Sequence, residues 1–227
     1  METDDWRKYI CEFIGTYALV FFAAGAVMVS SVTNGELGAI GGGLISGLVI
    51  SIVIYTFGHI SGAHVNPALS LTAVLIGRLE RRLLLGYVVS QMLGSVLAAL
   101  TLLCTVGRFG MMGANLPNTE LGVTPGVALV IEMFLSFLLM WVVCGSAFSS
   151  RAQVPLAGVA IGATVGIEVM LMGPFAGAAM NPARAFGPYL ALGDFTYFWI
   201  YVVGPVTGMV AGGLTYKFTH AIEGATI

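Results

Sequence analysis

The sequence predicts an all-α membrane protein: six transmembrane helices plus two re-entrant half-helices, arranged as two inverted repeats. Three observations carry this. The 227 residues are 58% hydrophobic and only 9% charged, with a mean hydropathy of +0.95; an ordinary soluble domain carries about 25% charged residues. Six long apolar runs follow one another with short connections. Two further apolar segments, each broken by Gly and Asn-Pro, are alike in sequence.

The first run, Tyr9 to Val32, carries Glu12 near its start and has the length of a whole span, which needs roughly 20 apolar residues. It is read as the first transmembrane helix and not as a cleavable signal. Ala39 to Phe57, Leu83 to Val106, Pro125 to Phe148, Pro155 to Met172 and Phe195 to His220 follow, each bounded by Gly, Pro or charged residues. His59 to Leu75 and Pro174 to Leu192 are too short or too broken to span. At membrane depth such segments are tolerated only where protein buries them or they line a wet cavity, because lipid cannot satisfy exposed backbone groups. Each is expected to be a re-entrant loop whose half-helix begins at Pro67 or Pro182, with Asn66 or Asn181 as its N-cap.

Gly58 to Ala68 matches Gly173 to Ala183 at six of eleven positions, and Tyr87-Val88-Val89 with Gly94 pairs with Tyr201-Val202-Val203 with Gly208. Glu12 and Glu132 likewise stand near the start of each half. The chain is read as one transmembrane domain, 1–227, duplicated into repeats 1–115 and 120–227. Three spans per repeat is an odd number, so the second repeat enters from the opposite side and is inverted. Arg7, Lys8, Arg78, Arg81, Arg82, Arg151 and Lys217 fall on one side of this topology and Arg108 on the other. The positive-inside rule then makes both termini cytoplasmic, in a cell membrane of plasma or inner type.

Asn66-Pro67-Ala68 and Asn181-Pro182-Ala183-Arg184, placed equivalently in a duplicated membrane chain, resemble the signature of the aquaporin superfamily, and the resemblance covers nearly the whole chain. Gly58 to His64 and Glu12 to Thr16 are similar to that family too. The half-helix N-termini would direct their positive dipole ends into a pore and oppose cations. The Asn66 and Asn181 amides would each donate to a passing oxygen and interrupt a proton wire. Arg184, a cation inside a membrane loop, is costly there unless it faces a wet cavity or a partner, and it is expected to line the pore.

In the resembling family this Arg belongs to a constriction of four residues; carried over by ungapped spacing, the other three are Ser46, Val169 and Ala178. All are small, unlike the Phe and His usual in water-selective members or the aromatics of glycerol facilitators. Gly173-Pro174, Gly177 to Asn181, Ala157 to Thr164 and Tyr201 to Pro205 resemble the nodulin-like branch, although Ser46 and Ala185 depart from common patterns. The resemblance implies a homotetramer and passage of glycerol, urea and boric, arsenous or silicic acid with water. Neutral solutes of this kind exchange hydration for hydrogen bonds without an ionic desolvation cost.

Family resemblance makes Glu12 and Glu132 acceptors for the loop backbones. Glu168 has no counterpart in the first half and is expected either to buttress the second loop or to meet the pore and tune it with pH. His64 is a candidate for lining the cytoplasmic mouth; neither it nor His59 has metal-ligand partners, so no metal or cofactor is expected. Cys11, Cys104 and Cys144 read as buried packing residues. Net charge of −2 with scattered basic residues excludes a nucleic-acid surface, and no nucleophile–base pair or phosphate loop supports an enzyme. A secondary transporter would share the inverted repeats but needs central coupling acids, where Asn66 and Asn181 stand instead. A sealing plug would not need Arg184. A strict water channel is the alternative within the superfamily, should Phe22 or Phe175 narrow the opening.

Overall fold

The computed structural model describes residues 5–149, 152 and 154–220; Arg151 and the outermost residues of both repeats lie outside them. Among the described residues every regular element is helical. The long helices are α1 (Asp5–Val32), α2 (Gly38–Ser61), α4 (Leu84–Thr105), α5 (Pro125–Val143), α6 (Ala157–Ala176) and α8 (Ile200–His220). The short ones are α3 (Pro67–Leu75) and α7 (Pro182–Leu192). Five of the long helices are apolar and long enough to cross a membrane by length and composition; α8, with its Gly, Thr, Tyr and Lys content, completes the six.

Packing repeats between the halves. Helix α1 lies against α2 and α4 as α5 lies against α6 and α8, while α4 meets α7 as α8 meets α3. The halves join chiefly where α2 crosses α6. Glycine permits that crossing: a Cβ on Gly43 would lie 2.6 Å from the Gly166 carbonyl oxygen, and one on Gly47 would lie 3.2 Å from the Gly166 Cα. Small residues let backbones approach closely where lipid supplies no hydrophobic drive between helices.

Helix ends depart from the sequence expectation in a systematic way. Helix α2 continues to Ser61 and α6 to Ala176, each about one turn beyond the apolar run. Both stop at a left-handed glycine, Gly62 (φ 81°) and Gly177 (φ 85°), whose N–H closes the last turn on Gly58 and Gly173. Two buried tyrosines complete these ends, Tyr87 Oη donating to the Ser61 carbonyl and Tyr201 Oη to that of Ala176, both at 2.8 Å. Helix α8 starts at Ile200, because residues near Asp194 turn first, with Thr196 donating to the Asp194 carboxylate from both N–H and Oγ1. Cys11 and Cys144 are buried, but Cys104 is exposed on the outer face of α4, a correction to its reading as a buried packing residue.

Candidate functional site

Both broken segments fold by one local plan. After Gly62 the chain passes through positive φ at Ala63 (49°) and Val65 (43°); after Gly177 it does so at Ala178 (47°) and Met180 (52°). For a β-branched residue such as Val65 this is an outlier that surrounding structure must hold in place. Two buried carboxylates do so. Glu12 accepts from the His64 N–H at 2.9 Å, the Val65 N–H at 2.6 Å, Ser61 Oγ at 2.7 Å and Gln91 Nε2 at 2.7 Å. Among the described residues Glu132 accepts two bonds, from the Ala179 N–H at 2.7 Å and the Met180 N–H at 2.8 Å. The difference lies partly in α8, where the Tyr201-Val202-Val203 repeat places Pro205 at the counterpart of Gln91.

Asn66 and Asn181 then start α3 and α7, with Pro67 and Pro182 in the first turn. Asn66 Oδ1 accepts from the Ala68 and Leu69 N–H groups at 2.9 and 3.4 Å, and Asn181 Oδ1 from those of Ala183 and Arg184 at 2.9 and 3.2 Å. Each Nδ2 reaches across to the other loop: Asn66 donates to the Met180 carbonyl at 2.9 Å and Asn181 to the Val65 carbonyl at 2.8 Å. The cross-bonded carbonyls belong to two of the four residues whose N–H groups the glutamates hold, Val65 and Met180. An amide nitrogen carries two N–H donors; Asn66 directs its second to Met209 Sδ, a weak acceptor, at 3.9 Å, while Asn181 retains its second, and both residues line one cavity. The two helix N-termini, with their partial positive charge, meet there.

That central cavity, about 90 Å³, is also lined by His64, Ser46, Val169, Ala178 and Arg184. It adjoins a vestibule of about 410 Å³ lined by Asn115, Gly173 and Pro174. Ala23, Val169, Ala178 and Arg184 line both and form the neck between them. Ser46 reaches only the central cavity, and its Oγ donates to the Gly42 carbonyl at 2.8 Å, leaving acceptor capacity but no hydrogen to offer. Phe22 and Phe175 line neither cavity.

Arg184 is 7% exposed, and its Nη1 donates to the Gly113 carbonyl at 3.0 Å and to Asn115 Oδ1 at 2.9 Å. A guanidinium has five N–H donors; the other three make no hydrogen bond to protein among the described residues, and Arg184 lines the neck. His64 is buried, with Nδ1 3.1 Å from Ser70 Oγ and its ring against Tyr87 and Phe148 at centroid distances of 5.3 and 6.2 Å. No cluster of three metal-ligating side chains occurs among the described residues.

Glu168 departs from both expectations for it. It lines neither cavity, and neither carboxyl oxygen has a hydrogen-bond partner among the described residues, so it makes no such bond to the second loop. Successive helical residues are rotated by about 100°; with Val169 at the neck, Glu168 sits on the flank of α6, in the field of Glu132 on α5. Sequence reasoning missed Ala23 and Asn115. Leu19 and Ala23, one turn apart on α1, both line the central cavity, a spacing readable in the sequence. Asn115 is one polar residue in a polar connection and carries no local signal.

Residues 1–216 match the family described as Major intrinsic protein. The chain is 44% identical to Aquaporin NIP1-1 of Zea mays over 94% of its length and 76% of that relative's. It is 38% identical to Nodulin-26 of Glycine max over 94% and 78%. Among solved structures, the aquaglyceroporin from Plasmodium falciparum superposes with a TM-score of 0.79 at 23% identity, covering 95% of this chain and 96% of that one.

Proposed function

The chain belongs to the major intrinsic protein family, as an integral membrane channel for water and small solutes and not an enzyme, and from that premise we propose that it passes small neutral polyols and hydroxides. Glycerol, urea and boric, arsenous or silicic acid are the solutes meant, travelling with water while protons and ions are held back. One observation carries the reading: the neck has no aromatic side chain, only Ala23, Val169 and Ala178 opposite the Arg184 guanidinium.

In this reading Arg184 donates to solute oxygens and repels cations. Ser46 accepts from solute hydroxyls below the neck. Asn181 orients each solute oxygen with its remaining N–H donor, and Asn66 with the one that otherwise rests on the weak acceptor Met209 Sδ, at the point where two helix dipoles oppose positive charge. Glu12 and Glu132 hold the loops that present these groups, and His64 lines the far mouth. Two inverted repeats, 1–115 and 120–227, form one domain with cytoplasmic termini in a plasma or inner membrane, and four copies assemble with one pore each. The small volume of the central cavity, about 90 Å³, favours the second reading, a strict water channel.

Stopped-flow light scattering on proteoliposomes separates the two. Glycerol, urea and boric acid fluxes well above those of protein-free vesicles are expected; fast water flux with all three excluded would overturn the solute assignment.

A further inference from the structure

We propose that Asn115, in the connection between α4 and α5, is a positioning residue that sets the opening of the neck by clamping Arg184. The inference rests on the reading that the neck is where solutes are selected. Asn115 is 3% exposed and bonded on every side. Its Oδ1 accepts from Arg184 Nη1 at 2.9 Å, its Nδ2 donates to the Gly177 carbonyl at 2.7 Å, and its own carbonyl accepts from Tyr189 Oη at 2.7 Å. The backbones are in contact as well: a Cβ on Gly177 would lie 2.8 Å from both the Cα and Cβ of Asn115. One side chain therefore joins the connection to the second loop, immediately before Ala178, and to the cation of the neck.

Among the described residues no other side chain hydrogen-bonds the guanidinium. The other three neck residues, Ala23, Val169 and Ala178, have no polar side-chain atoms, and the remaining Nη1 bond goes to a backbone carbonyl, Gly113. A hydrogen bond to a charged group is the stronger kind, and both Nη1 hydrogens are drawn toward the 113–115 wall. Released from Asn115, the guanidinium can swing into the lumen, where it obstructs larger solutes before it obstructs water. In a neck lacking bulky side chains, width thus depends on this clamp.

The test is a double-mutant cycle in proteoliposomes, reading the urea-to-water and glycerol-to-water permeability ratios. Asn115→Leu keeps the approximate size and loses both side-chain bonds; the ratios are expected to fall about tenfold, the equivalent of losing one charge-assisted hydrogen bond. Asn115→Asp keeps the acceptor for Nη1 and loses the donor to Gly177, and it should restore the ratios. In an Arg184→Val background, Asn115→Leu should change nothing further.

Wild-type ratios in Asn115→Leu would overturn the proposal, as would equal losses in the Leu and Asp variants, which would assign the effect to the Gly177 tie. An undiminished Asn115→Leu effect without Arg184 would do the same. Asn115→Ser enters the same cycle if the Leu variant does not reconstitute. Should the wild type pass water alone, the solute assignment fails separately, and the cycle is read from water permeability.

Discussion

Replacing Glu132 by glutamine isolates one hydrogen bond beneath the second loop. The two carboxylate oxygens have one client each, the Ala179 N–H on Oε1 and the Met180 N–H on Oε2. Glutamine has a single carbonyl oxygen, so one of these buried N–H groups must face an NH2. A buried donor left without an acceptor costs about 1–3 kcal/mol. Glu132 is itself 0% exposed, so water does not reach the orphan without rearrangement. In Glu132→Leu both donors are orphaned, which doubles the expected loss to about 2–6 kcal/mol. Met180, held at φ 52°, also loses its restraint.

At roughly 2–4 °C per kcal/mol for a chain of this size, the glutamine variant should melt several degrees below wild type in detergent and the leucine variant about twice as far below. Thermal unfolding followed by size-exclusion recovery measures both, and stopped-flow water permeability reports whether the loop stays in place. A glutamine variant as stable as wild type, or a leucine variant no worse than the glutamine one, would refute the hydrogen-bond accounting.

The equivalent Glu12→Gln change is expected to destabilise less than its four bonds suggest, because Gln91 Oε1 has no partner among the described residues and the Gln91 amide can turn to accept from the new NH2, giving up only its bond to Ser70 Oγ; adding Gln91→Leu should expose the remainder in the same melting assay. Ser46→Phe with Val169→His should abolish glycerol and urea flux while water flux persists, read by stopped flow on the same vesicles; solute flux that persists in the double variant would move the selecting contact away from the neck. Glu168→Gln should leave permeability unchanged from mildly acidic to mildly alkaline buffer, since the side chain lines neither cavity; a pH profile that flattens in the variant would place Glu168 in the conduction path after all.

Covalent repetition and local chemistry account for the features that are legible in one dimension. The apolar runs define spans because lipid admits only backbones that satisfy themselves. Asn before Pro begins a helix whatever surrounds it, and Asn66 and Asn181 do so. The matched segments ending at Ala68 and Ala183 made the duplication legible, and Glu12 and Glu132 stood out as carboxylates inside apolar spans.

Tertiary structure decided what depends on the approach of distant segments. The crossed bonds of Asn66 to Met180 and Asn181 to Val65 join residues more than a hundred positions apart, and no local pattern encodes them. The neck gained Ala23 because α1 happens to face it there, and Ser46 fell below it because its helix carries it past the vestibule. Glu168 was ambiguous in one dimension, since a residue beside Val169 in sequence is turned away from it by helical rotation. Asn115 acquires its importance only when the connection folds onto Gly177 and Arg184. Its polarity is ordinary for a loop, and burial against a cation is what gives it a task.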